Sequence, residues 1–408
     1  MQNNLYKETL DWLFNQFPAY HKIGASAYKP SLDNCIRLAE YFQNPQNDLK
    51  FIHIAGTNGK GSTSSMLASI LTESKEIVGL FTSPHIEDFR ERIRVNGEMI
   101  TEDFVIEFCE KVKSLRIDFE PSFFEITWVL ALVYFRSKKT TVCVIEAGLG
   151  GRLDATNIIT PLLSIITNIG LEHTNFLGDT LELIATEKAG IIKSTVPVVI
   201  GESVEETKNV FNKIANQNST TIYFAEDFNY LPSSNFPLLG EYQKINYNTI
   251  RVAIDVLNEK SLTIESSDIE VGLKNIFKNT GFRGRMQVMS YEPLLIFDVS
   301  HNYDGIKATL NSISNTSRQL IIVYGTSADK DLESIFSLFP KNAKCFFTEF
   351  KNERSAKIPQ LENESIKNGL EASFYLESKL ALQHAKDVAG KEDTILIFGS
   401  FFLLSDFF

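Results

Sequence analysis

Phe51-Ile-His-Ile-Ala-Gly-Thr-Asn-Gly-Lys-Gly-Ser62 runs from strand-type apolar residues into a glycine-rich turn and then into helix formers. Phe51, Ile52 and Ile54 predict a buried strand, and a helix is expected from Ser62 to about Thr72. Gly56, Gly59 and Gly61 lack the Cβ atoms that would hold a polyanion away from successive backbone N–H groups. Lys60 adds a point charge, and the following helix presents unpaired N–H groups and the positive end of its dipole to the turn. Gly56, Thr57, Asn58, Gly59, Lys60, Gly61 and Ser62 are therefore the candidate phosphate-binding residues. The strict GxxxxGK[ST] pattern would need glycine at Ile54 and a hydroxyl at Gly61, so a hydroxyl for Mg2+ has to come from Ser62 or elsewhere.

Composition narrows the class. At 408 residues, the length is that of two or three ordinary domains, and two are expected. With 43% hydrophobic and 22% charged residues, the chain reads as globular, and no apolar run nears the roughly 20 residues of a bilayer span. Met1 to Leu10 mixes amides and charges without an apolar core, which predicts a cytoplasmic protein. Cys35, Cys109, Cys143 and Cys345 are far apart and form no CxxC pair, so structural thiols are expected rather than metal ligands. A net charge of −11 disfavours nucleic acid and anionic membranes as partners and leaves small molecules.

In chain order, Leu5 to Phe17 and Ser31 to Phe42 have helical spacing. Ile77 to Thr82 reads as a second strand emptying into Ser83, and Asn96-Gly97 supplies two φ > 0 positions for a hairpin within Ile93 to Ile100. Ser122 and Glu125 have capping-box spacing before the apolar helix Ile126 to Phe135. A third strand, Thr141 to Ile145, runs into Glu146 and a glycine-rich stretch ending at Asn157. A fourth, Leu163 to Thr167, leads toward His173, and a helix from Leu181 to Gly190 carries Lys188. In an open parallel α/β sheet, ligands sit beyond the carboxyl ends of strands, where Ser83, Glu146 and the glycine turn all fall. After further α/β alternation come helices at Gln243 to Leu257 and Ser267 to Phe277, and then a linker, Thr280 to Met286. Hairpin strands Met286 to Tyr291 and Leu294 to Val299, with later strands at Leu320 to Tyr324, Cys345 to Thr348 and Thr394 to Phe398, predict a smaller doubly wound domain. The fold class expected is α/β, with a P-loop-type, mostly parallel domain over 1–283 and a Rossmann-like domain over 287–408.

Seven ordered motifs together resemble the folylpolyglutamate synthase and dihydrofolate synthase family of the Mur ligase superfamily, over nearly the whole chain. They are Ala55 to Ser62; Thr82-Ser-Pro-His85 with Glu91 to Val95; Glu146 to Asn157; Leu171 to Thr174; Glu187 to Ile191; Asp298 to Asn302; and Gly399 to Phe401. Gly61, directly after the lysine, is similar to the folate branch and unlike the peptide ligases, which carry a hydroxyl there. The resemblance implies an ATP-dependent amide ligase that joins L-glutamate to dihydropteroate, to a reduced folate, or to both through an acyl phosphate. The other readings are a Mur-type ligase for a different carboxylate and a nucleotide-binding regulator without ligation.

The resemblance also implies residue roles. Ser83, Glu146 and His173 match metal ligands, and Lys188 matches a carbamylated lysine, which with Lys60 and His173 makes the catalytic set. Asn246, Arg285 and Asp298 match nucleotide contacts. Ala27, Tyr28, Lys29, Ser122, Phe123, Phe124, Glu125, Leu153, Asp154 and Ala155 are implied for the pterin side, and His301 and Asn302 for the cleft. From the residues themselves, Ser122 and Glu125 also read as a helix cap, Phe123 and Phe124 as core, and Asp154 as a turn cap. ATP and Mg2+ at two sites are the implied cofactors, with K+ as a further ion. A monomer is expected.

Overall fold

The computed structural model describes residues 2–17, 31–260, 262–313 and 318–408, so the predicted pterin-side residues Ala27, Tyr28 and Lys29 lie outside the described residues. The chain forms two compact units: 1–236 with 245–282, and 237–244 with 283–408.

The first unit is built on an eight-stranded sheet in the order β4-β3-β2-β5-β1-β6-β7-β8. Its strands are β1 (Phe51–Ala55), β2 (Val78–Phe81), β3 (Ile93–Val95), β4 (Glu98–Met99), β5 (Val142–Glu146), β6 (Leu163–Ile166), β7 (Val198–Ile200) and β8 (Ile222–Phe224). The six strands other than β3 and β4 run parallel. A central parallel strand is covered on both faces, so it reads as a continuous apolar run instead of alternating; all five residues of β1 are buried. The hairpin β3–β4 is antiparallel, and its turn places Asn96 at φ 47° and Gly97 at φ 87°, the left-handed positions expected.

Helix α1 (Lys60–Glu73) starts two residues before the predicted Ser62 and is buried from Gly61 to Leu71. Its serines and threonines are small enough to let neighbours approach on every side. Opposite it, helix α2 (Ser266–Lys274) presents Gly272, where an added Cβ would lie 2.6 Å from Ile70 Cα. The single helix predicted over Ser267 to Phe277 is in fact two, because Asn275 leaves helical geometry before the short helix Ile276–Thr280.

The second unit holds a six-stranded sheet, β13-β12-β11-β14-β10-β9. Strands β10 (Leu294–Phe297), β11 (Leu320–Tyr324), β12 (Lys344–Thr348), β13 (Glu371–Tyr375) and β14 (Thr394–Phe398) are parallel, while β9 (Gln287–Tyr291) pairs antiparallel with β10. Its core is aromatic: Tyr324, Phe336, Phe339, Phe347 and Phe398 pack on one another. Strand β13 escaped the sequence reading because this edge strand is only half buried and lacks a strong apolar run. No helix among the described residues is long and apolar enough to cross a membrane.

Candidate active site at the strand ends

Strands β2, β5, β1 and β6 are neighbours, and their carboxyl ends deliver Ser83, Glu146, the glycine turn and Asn168 to one edge of the sheet. The turn is held from β6. Thr57 N donates to Asn168 O at 2.9 Å, Asn58 N donates to Asn168 Oδ1 at 2.9 Å, and Thr167 Oγ1 donates to Asn58 O at 2.6 Å. Thr57 Oγ1 both donates to Gly170 O and accepts from Gly170 N. Gly56 sits at φ 147°, and a Cβ there would fall 1.8 Å from Thr167 Oγ1, so the close approach of the two strand ends requires glycine. Gly59, at φ 84°, precedes α1, and a Cβ there would lie 2.5 Å from Asn246 Oδ1. Asn246 thus packs directly on the turn.

Two amino groups meet at one acceptor. Lys60 Nζ donates to Gly56 O at 2.9 Å and to Thr57 O at 3.0 Å, while Lys188 Nζ donates to Gly56 O at 2.7 Å. Lys188 is buried, and burial together with the nearby Lys60 charge lowers its pKa to about 7. A substantial neutral fraction of that amine is therefore present near neutral pH. Neutral amine is the form that can add to CO2, so Lys188 fits a carbamate, while Lys60 is the cation that the turn offers to an anion.

On the other side, Ser83 N donates to the buried Glu146 Oε2 at 3.1 Å. Arg92 is also buried; desolvation lowers its pKa to about 10, partly opposed by Glu146 and Glu91. Its Nε donates to His85 Nδ1 at 2.8 Å. His173 occupies a left-handed backbone position before the short helix Thr174–Leu177, with Nε2 3.9 Å from Glu172 Oε1. Among the described residues, no three His, Cys, Asp or Glu side chains form a metal cluster. The backbone contact nevertheless sets Ser83, which carries a hydroxyl, beside the Glu146 carboxylate, and oxygen donors of these types are what a hard cation such as Mg2+ takes.

Ser122 and Glu125 form the capping box at the head of helix α3 (Phe123–Ser137): Ser122 N donates to Glu125 Oε2 at 2.6 Å, and Glu125 N to Ser122 Oγ at 3.2 Å. Phe123 is core, stacked on Phe14 with ring centroids 5.0 Å apart. Phe124 is only partly buried and lies over Gly148, where a Cβ would meet its ring at 2.6 Å. Asp154 is buried and caps its own loop: Oδ2 accepts from Leu149 N at 2.8 Å, and Oδ1 from Thr156 N at 3.0 Å and from Thr156 Oγ1. Burial raises its pKa despite these bonds. Leu153 and Ala155 flank it in the same loop.

In the second unit, Asp298 is a hub. Its Oδ1 accepts from Ser300 N at 2.8 Å and Thr309 Oγ1 at 3.1 Å, and its Oδ2 from Met286 N at 2.8 Å and the Tyr242 hydroxyl at 3.2 Å. His301 Nδ1 donates to Val299 O at 2.9 Å, Asn302 Oδ1 accepts from Gly305 N at 2.8 Å, and the Arg285 guanidinium lies 5.7 Å from the Phe401 ring centre.

Sequence reading passed over Asn168, Arg92 and His85. Asn168 follows the end of β6, so the strand-end rule that selected Ser83 and Glu146 points equally to it. His85 and Arg92 lie within the quoted Thr82 to His85 and Glu91 to Val95 motif, but their contact with each other depends on tertiary folding.

Comparison with known proteins matches the architecture. A family model described as the Mur ligase middle domain matches residues 54–269, and one described as the Mur ligase glutamate ligase domain matches residues 284–401. A dihydrofolate synthase/folylpolyglutamate synthase of Buchnera aphidicola subsp. Schizaphis graminum is 33% identical over 382 residues, 88% of this chain and 87% of the relative. The structure of E. coli FolC in complex with DHPP and ADP aligns with a TM-score of 0.83 at 26% identity, covering 98% of this chain and 96% of that one. A bifunctional folylpolyglutamate synthase/dihydrofolate synthase of Yersinia pestis, complexed with AMPPNP and Mn ion, aligns with the same TM-score at 27% identity, over 98% and 96% of the two chains.

Proposed function

The chain belongs to the Mur ligase superfamily, in its folylpolyglutamate synthase and dihydrofolate synthase branch, and from that premise we propose that it joins L-glutamate to a pteroyl-type carboxylate at the expense of ATP. The observation that carries the reading is the convergence of Lys60 and Lys188 on Gly56 O, at the glycine turn opening α1.

A carboxylate is a poor electrophile because its charge is delocalised. One acceptor carboxylate oxygen therefore attacks the γ-phosphorus of ATP, the bond to ADP breaks, and an acyl phosphate results. Glutamate nitrogen, neutral after its ammonium has lost one proton, then adds to the acyl carbon and loses a second proton to solvent, and the C–O bond to phosphate breaks to leave the amide. The protein contributes positioning and charge neutralisation. Residues Gly56 to Ser62 present N–H groups and the helix dipole to the phosphates, and Lys60 releases its carbonyl contacts to meet the transferred group. Mg2+, when bound, neutralises phosphate oxygens. Ser83 and Glu146 are suited to hold it, with His173 assigned beside them by family resemblance. Lys188, as a carbamate formed by loss of one proton and N–C bond formation with CO2, supplies an anion for a second metal. Asn246 lies at the turn for the nucleotide, with Arg285 and Asp298 assigned to it by resemblance. Phe124 and the Leu153 to Ala155 loop form the pterin side.

The test is phosphate release with ATP and glutamate, using dihydropteroate or tetrahydrofolate as acceptor. Glutamate-dependent release with both is expected. Release with tetrahydrofolate alone would restrict the enzyme to chain extension, and release with neither would overturn the reading.

A further inference from the structure

We propose that His53 is a positioning residue that ties the acceptor-side loop 148–157 to strand β1, and so fixes that loop relative to the phosphate turn, which begins three residues further along the chain at Gly56. The proposal rests on the reading of this loop as the pterin side. His53 is fully buried in β1, a strand that otherwise supplies only apolar residues. Its Nε2 lies 2.8 Å from Thr156 Oγ1. The Asp154 carboxylate accepts from Leu149 N, Thr156 N and Thr156 Oγ1, so the Thr156 proton is directed to Asp154. Thr156 Oγ1 must then accept from His53 Nε2–H, which fixes the tautomer and leaves Nδ1 bare. His53 Nδ1 indeed has no hydrogen-bond partner. Burial, with Lys193 nearby, lowers the pKa of the ring to about 3 and keeps it neutral. The result is a directed relay from β1 through Thr156 to Asp154 and the amide of Leu149.

The far side of the loop is pinned as well. Lys193 Nζ donates to Asn157 O at 3.1 Å, Asn157 Nδ2 donates to Arg152 O and Gly190 O at 3.0 Å each, and Arg152 N donates to Glu187 O at 2.7 Å. Those bonds join the loop to the segment carrying Lys188. The His53 relay is a side-chain connection from this loop back to β1. An apolar residue at 53 would fill the space but release the loop.

The experiment compares wild type with His53→Leu, Thr156→Val and His53→Gln, whose terminal amide can donate to the same hydroxyl. Hydrogen exchange at Leu149 and Thr156, which needs no turnover, reads the loop. Steady-state kinetics read its use. We expect His53→Leu and Thr156→Val to speed exchange at both amides and raise KM for the pteroyl acceptor about tenfold, the scale of one lost hydrogen bond, with KM for ATP unchanged. His53→Gln should restore both readouts, and the double variant His53→Leu/Thr156→Val should be no worse than either single one. Unchanged exchange in a folded His53→Leu protein overturns the relay. Faster exchange with unchanged acceptor KM, or an equal rise in KM for ATP, overturns its role in positioning. If wild type ligates neither acceptor, the functional reading fails, while the exchange result still decides whether the relay exists.

Discussion

Lys60 and Lys188 share the carbonyl oxygen of Gly56, and burial together with the nearby Lys60 charge lowers the Lys188 pKa to about 7. Replacing Lys60 with alanine removes a charge from a turn whose backbone is fixed independently by Asn168. Ligase turnover should fall by about 10²- to 10³-fold, the scale of removing one transition-state donor, while the melting temperature stays within a degree or two. Near-normal turnover would contradict a phosphate role. His53 gives a prediction for stability against pH. Its folded pKa, about 3, lies below the ordinary histidine value, so between pH 6.5 and 3 the unfolded chain binds a proton that the folded chain refuses. Stability is full above pH 6.5 and declines as pH falls. Between pH 7.5 and 5 the wild type should lose about 2 kcal/mol more than His53→Gln, as read from urea unfolding. Equal losses would mean that the imidazole is protonated in the fold.

At the scale of elements, the contact between α1 and α2 positions the phosphate turn, because Lys60 is the first residue of α1. Gly272→Ala tests it. Helix propensity alone would make alanine better by up to about 1 kcal/mol. The new Cβ, however, would lie 2.6 Å from the backbone of Ile70, and overpacking against backbone costs about 1–3 kcal/mol, so destabilisation should win. The expected result is a lower melting temperature together with a raised KM for ATP; a stabilised variant would show that α1 yields freely. The Ser122–Glu125 box and the Asn96-Gly97 hairpin turn were legible because local chemistry sets them, although the helix behind the box starts at Phe123, three residues before the expected Ile126, since Glu125 is already its third residue. Where half-burial or a local break decided the outcome, as at β13 and Asn275, pattern was insufficient.

Across the whole molecule, the four cysteines are free and buried, and burial pushes all four thiols up in pKa. The melting curve should be insensitive to reductant, and an aromatic disulfide reagent should titrate four thiols in denaturant but react far more slowly with the native protein. Rapid reaction of the folded chain would show that one core opens easily. The sequence by itself determined the α/β class, the glycine turn with Lys60, the strand ends that carry Ser83 and Glu146, and the ligase family. All of these rest on interactions within a few residues or on ordered motifs, which a linear reading preserves. Only the tertiary structure decided that Asp154 turns inward to cap its own loop, that Phe123 is core while Phe124 lies over Gly148, that Asn168 grips the turn, and that Lys188 sits beside Lys60. Each of those outcomes depends on which distant segments desolvate a side chain and which donors reach it, and such distances exist only after the sheet has brought β1, β5 and β6 side by side.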